Sequence, residues 1–262
     1  MRIIFFVIVY FTFSSLFSQN KIDEEINKYL SSPKQFKFEE LINKKFEHSV
    51  NQFDNIPERL RNHYDTIAIR DLDFGVQEAI YSIKLYYIAE DDAVKHLQNN
   101  LHVLSRGSTI FGIIRNDLSQ NKITPYFDNN LMNRYINQHD SLYRTKTTQN
   151  DLIKALITQS DYGYLCGIAP TISAVPQRNG LWFDNVKNIG TFRKWLKSYS
   201  PEEQAYGVDA LSYLYNKPPF ATAKRQENQV VEDKKLIEQI KKRNSTIRTC
   251  SGCIYGIYRK VY

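Results

Sequence analysis

Apolar residues recur at three- and four-residue spacing along most of this 262-residue chain, and that period limits its fold more than any motif does. Ile22, Ile26, Tyr29 and Leu30 form one stripe, stopped by Ser31-Ser32-Pro33; Phe38, Leu41, Ile42 and Phe46 form a second. Pro57 can open a short helix through Tyr64. Asp71 or Asp73 can cap another whose core face is Val76, Ala79, Ile80, Ile83 and Tyr87. Glu90-Asp91-Asp92 suits the positive end of a helix dipole, and Val94, Leu97, Leu101 and Leu104 continue the period. Arg106-Gly107 reads as a helix end and Ser108 as the cap of the next, with Ile110, Phe111, Ile113, Ile114 and Leu118 inside. Thr124-Pro125 breaks the chain, and Leu131, Tyr135, Ile136 and Tyr143 form a further stripe.

Two caps are well marked. Thr148 precedes Asp151 by three residues, ahead of Leu152, Ile153, Leu156 and Ile157. Ser200-Pro201-Glu202-Glu203 puts serine at a cap, proline at the first helical position and Glu203 where it can reach back to the cap N–H. That helix buries Ala205, Val208, Leu211 and Tyr215, and one with Leu236, Ile237 and Ile240 follows it. The predicted fold is therefore mainly α, an irregular multi-helix domain over residues 20–262. Its sub-boundary is expected near 161–183, and a short β-hairpin or turn ends the chain. The alternative is a helical repeat of HEAT-type stacked pairs, suggested by four aromatic-Gly triplets: Phe74-Gly75-Val76, Phe111-Gly112-Ile113, Tyr162-Gly163-Tyr164 and Tyr206-Gly207-Val208.

Residues 1–19 stand apart. Met1-Arg2 is a positive start, Ile3 to Phe13 an almost unbroken apolar run, and polar sequence begins at Gln19-Asn20, the layout of a signal peptide. The run is short for a spanning helix, and no second one is long enough to cross a membrane. A secreted or periplasmic protein is expected, without a transmembrane segment after cleavage. The net charge of +7 is uneven: Lys187 to Tyr262 hold 15 Lys and Arg against 7 Asp and Glu. The basic residues are spread over several segments, which suits solvated helix faces. The alternative is a surface for a partner, a protein or an anionic envelope component such as an acidic glycan or phosphate, rather than nucleic acid.

The stretch from 161 to 183 is punctuated by Gly and Pro and reads as a long ordered loop. Tyr162, Tyr164, Trp182 and Phe183 on it, with Lys241, Lys242 and Arg243 downstream, are the candidate binding surface. Thr246 to Tyr258 carries Cys250 and Cys253 around Ser251-Gly252, a hairpin signal that would face the two cysteines across the turn. In an oxidising compartment a disulfide is the ordinary reading, joining Cys250 to Cys253 or Cys166 to either. Redox exchange would need a thiolate stabilised at a helix N-terminus, and no βαβ unit is visible. Ile254 stands where a haem-attachment motif needs His, and zinc would need a fourth ligand beside Cys166. No cofactor or metal is expected.

His139-Asp140 is similar to the central dipeptide of HD-type metal phosphohydrolases. The resemblance stops there, because His96 and His102 precede the pair and no matching ligands follow it. No Gly-x-Ser-x-Gly and no phosphate-binding glycine loop occur. The expectation is an exported protein with a binding or structural role and no catalysis of its own. The alternatives are a thiol–disulfide redox protein using Cys250 and Cys253, and a helical hydrolase whose site no motif marks.

Overall fold

The computed structural model describes residues 19–46, 49–50, 57–88, 93–158, 160–163, 188–216, 227–251 and 254–262. The leader expected at the N-terminus falls almost wholly outside them. The mainly α expectation is wrong: the fold is mixed, and five strands occupy a region read above as helical. These are β1 (His63–Asp71), β2 (Val76–Ile88), β3 (Val94–Arg106), β4 (Thr109–Asp117) and β5 (Lys122–Phe127), forming one sheet in the order β1-β2-β3-β4-β5. Two further strands, β6 (Ile247–Ser251) and β7 (Ile254–Arg259), pair antiparallel as the C-terminal hairpin. The helices are α1 (residues 19–30), α2 (Phe38–Asn43), α3 (Asn129–Tyr143), α4 (Gln149–Ile157), α5 (Ile189–Leu196), α6 (Pro201–Tyr215) and α7 (Glu227–Arg243).

The physical reason for the misreading is burial on both sides of the sheet. Every residue from Asn99 to Leu104 on β3 is buried, and so is Phe111 to Arg115 on β4. A strand covered on both faces shows no alternation, and its apolar residues then fit a helical spacing by chance. Gly107, at φ 57°, is a hairpin residue and not a helix end: Arg106 pairs with Thr109, leaving Gly107-Ser108 as a two-residue loop. Pro125 lies on β5, an edge strand, where a missing N–H is tolerated.

The chain forms two compact units. The first spans 1–67 and 78–132. There α1 lays Ile22, Ile26 and Leu30 against Leu85, Leu97, Leu101 and Ile113 of the sheet. A buried guanidinium sets the register of this layer. Arg115 donates to Asp23 at 2.5 Å, Asn27 at 2.7 Å, Asn99 at 2.7 Å and Asp117 at 3.0 Å. Glu78 and His102 form a second buried pair at 2.6 Å.

The second unit comprises 68–77 and 133–262. Phe192 and Leu196 of α5, Val208, Leu211 and Leu214 of α6, and Ile237 and Ile240 of α7 share its core. α6 is buried almost all round, and its Gly207 lets the backbone of α5 approach: a Cβ there would meet Leu196 N at 2.4 Å. The other triplets do not repeat this role. Phe74-Gly75 lies in the turn between β1 and β2, Phe111-Gly112-Ile113 lies in β4, and Tyr162 makes an isolated bridge. The helical-repeat expectation falls with them. Arg70 completes the unit, donating to both oxygens of buried Glu202 at 2.7 and 2.9 Å.

Candidate functional site

Among the described residues, an open groove of about 1080 Å³ lies in the second unit. Its two walls follow from helical period. On α4 the stretch from Asp151 through Lys154 and Ala155 to Thr158, just past the helix end, stands at i, i+3, i+4 and i+7, while Leu152, Ile153 and Leu156 turn to the core. On α5, Gly190, Arg193, Lys194 and Lys197 repeat the spacing while Phe192 and Leu196 are buried. Thr148 caps α4, accepting from Asp151 N, and the Asp151 carboxylate answers to Thr148 N at 2.8 Å, completing the predicted capping box.

Lys146, Lys154, Lys194 and Lys197 line this groove, and none has an ion-pair partner among the described residues. Arg193 differs, because Asp233 holds its Nε at 2.7 Å. Two carboxylates, Asp151 and Glu203, also line the groove. Hydrogen bonds from the Thr148 hydroxyl and backbone hold Asp151 below the usual carboxylate range, so it stays ionised. Trp195 adds an aromatic surface, half-buried and braced by Phe192 at 5.6 Å and Tyr206 at 6.4 Å between ring centroids.

The floor is a hydrogen-bonded chain. Thr147 Oγ1 donates to Asp140 at 2.8 Å, so the 2.7 Å contact between Tyr199 and Thr147 has the tyrosine as donor. Thr147 N and the Thr145 hydroxyl also donate to Asp140. Burial works to raise the Asp140 carboxyl, but these three donors outweigh it and hold the group low. Burial, the largest influence on Tyr199, pushes its phenol well above the ordinary tyrosine range. Beneath it His139 stacks on the Tyr199 ring at 3.8 Å, fully buried, with neither ring nitrogen hydrogen-bonded. The HD dipeptide is thus part of the support of the groove: Asp140 holds threonines, and His139 is an aromatic spacer.

The residues singled out from sequence are scattered. Arg243 is turned inward, donating to Asp73 and Gln204, while Tyr143 donates to the same Asp73 at 2.9 Å. Lys241 and Lys242 share the last turn of α7 and lie outside the groove. Tyr162 is tied to β6 by its own backbone and to Asp209 by its hydroxyl, a structural placement. Tyr164, Cys166, Trp182, Phe183 and Cys253 lie outside the described residues. Cys250, buried on β6, is the one cysteine among the described residues. Ser251 belongs to β6 and pairs with Ile254, so it is not the loop residue expected. Nor does Cys250 sit at a helix N-terminus, the setting that activates a thiolate.

Sequence reasoning missed Lys146 and Lys154 because the basic excess was sought only beyond residue 187. The signal available was the shared i, i+3, i+4, i+7 polar face of α4 and α5. Among the described residues no three His, Cys, Asp or Glu side chains converge to hold a metal ion, and no helix is long and apolar enough to cross a membrane. Comparison of the chain with protein-family models, curated proteins and solved structures found no match.

Proposed function

We propose that this protein binds an anionic ligand in the groove between α4 and α5. The observation that carries the reading is the four lysines, Lys146, Lys154, Lys194 and Lys197, that line one concavity without ion-pair partners among the described residues. Like charges gathered on low-dielectric walls focus the field and raise the local concentration of a counter-ion. Lys154 stands on α4 and Lys194 on α5, so their backbone positions are set before binding, which lowers the ordering that binding would otherwise require. If the leader at residues 1–19 directs export, as its layout predicts, the ligand is an envelope or extracellular anion.

The test compares two pairs of lysines. Reversing Lys194 and Lys197 to Glu should weaken binding to an immobilised polyanion by about tenfold or more, a loss of about 1.4 kcal/mol or greater. The same reversal at Lys241 and Lys242, outside the groove, should change it by about twofold at most. Equal losses from both pairs would mean that dispersed charge, and not this groove, holds the anion. Binding that weakens with rising salt in the wild type, and less so in the Lys194 and Lys197 variant, is the accompanying signature.

A further inference from the structure

The groove also holds two carboxylates, and a purely anionic ligand has no use for them. Glu203 follows the Ser200 cap, and its backbone N–H goes to Ser200 Oγ at 3.3 Å; its carboxylate accepts no hydrogen bond from the described residues. The sequence expectation that it reaches back to the cap N–H fails, because Ser198 Oγ takes that donor at 3.0 Å. Asp151 spends Oδ2 on Thr148, and no described donor reaches its Oδ1. Both residues line the groove with the lysines, and both keep acceptor capacity that no described residue uses. A phosphate or polyphosphate offers little to donate near neutral pH, so these oxygens would only repel it. A ligand carrying anionic groups and hydroxyl donors together satisfies lysines and carboxylates alike.

Trp195 points the same way. It lines the groove half-buried, braced on Phe192 and Tyr206, so it offers apolar aromatic surface at little ordering cost. The non-polar face of a sugar ring fits such a surface and an inorganic anion does not. The walls run from i to i+7 on each side, roughly 10 Å along the helix axes, which suits a short run of sugar units better than a single ion.

Resting on the anion-binding reading, we infer that the groove takes an acidic saccharide, whose carboxylate or sulfate groups meet the lysines and whose hydroxyls meet Asp151 and Glu203. The experiment is calorimetric titration of the whole protein with four probes: an oligogalacturonide, a sulfated oligosaccharide, a neutral gluco-oligosaccharide of similar length, and tripolyphosphate. At least one acidic saccharide should bind about tenfold more tightly than tripolyphosphate and the neutral sugar; whichever of the two is tighter identifies the anionic group.

Glu203→Gln separates the readings by sign. Removing the charge should weaken the acidic saccharide several-fold and tighten tripolyphosphate, while loss of Lys194 and Lys197 weakens both. Trp195→Leu should weaken only the saccharide, and Glu203→Gln retains a readout if that variant does not fold. Tripolyphosphate bound as tightly as the saccharides, with Glu203→Gln tightening all of them, would overturn the saccharide inference and leave the anion reading standing. Saccharide binding indifferent to Lys194 and Lys197 would overturn it too. No binding of any probe would overturn both.

Discussion

His139 shows how far one side chain can depart from what its sequence context suggests. Its ring is fully buried, stacked on Tyr199 and tilted against Tyr143 at 4.5 Å, with no hydrogen-bond partner on either nitrogen. Burial pushes its pKa down to about 4, against the pull of the Asp73 and Asp140 carboxylates. The unfolded chain, with a histidine pKa of about 6.5, takes up a proton first as pH falls. The contribution of this neutral ring is therefore complete above about pH 6.5 and lost as pH drops from there to about 4, roughly 3 kcal/mol in all. His139→Phe keeps an aromatic ring in place and removes the titration. Urea unfolding at pH 7 and at about pH 5 should show the wild type losing about 2 kcal/mol more than the variant over that interval. Equal losses would mean that the folded protein accepts the proton as readily as the unfolded chain, and that the buried neutral ring is wrongly placed.

Elements depend on contacts that a local pattern does not report. Gly207 was singled out by a triplet that turned out not to repeat, yet at this one position the close approach is real. A Cβ would lie 2.4 Å from Leu196 N, 2.7 Å from Leu196 Cα and 3.0 Å from Phe192 O, all backbone atoms. Gly207→Ala gains about 1 kcal/mol of helix propensity but forces α5 away from α6, an overpacking cost that should leave a net loss of about 2 kcal/mol or more. Gly190→Ala is the control, because its Cβ meets nothing within 4 Å and it should raise stability by about 0.5 kcal/mol. Thermal midpoints that rise in both variants would show that the two helices are not in contact at Gly207. The same contrast explains which elements were legible. Thr148 and Ser200 announce their helices through side chains that act within one turn, and both caps form. β3 and β4 are covered on two faces, so their strand character lay in Gly107-Ser108, a two-residue hairpin signal, and not in any apolar alternation. The groove was half legible: Arg193, Lys194 and Lys197 were visible as charge, but their partnership with Lys146 and Lys154 depends on how α4 meets α5.

The second unit draws two buried charged groups, Arg70 and Asp73, from a segment far away in the chain. Residues 68–77, the ends of β1 and β2 and the turn between them, belong with 133–262 and not with the sequence on either side. That segment supplies Arg70 to Glu202 and Asp73 to Tyr143 and Arg243. Glu202 also accepts Arg248 N at 2.8 Å and the Ser200 hydroxyl at 3.0 Å, so it ties the start of α6 to the C-terminal hairpin. Without Arg70 those neutral donors would surround a buried carboxylate with no countercharge among the described residues, and without Asp73 the Arg243 guanidinium would lose the acidic partner it has there. Breaking a buried pair by removing one member costs about 3–5 kcal/mol. Two such losses approach or exceed the whole stability of an ordinary domain, about 5–15 kcal/mol. A fragment of residues 133–262 therefore should not fold cooperatively, although it contains every residue named in the groove. Its urea transition should be broad, and its amide resonances should be poorly dispersed. A sharp transition with dispersed resonances would mean that 68–77 is dispensable. The groove could then be studied on the fragment alone, free of the sheet that precedes it.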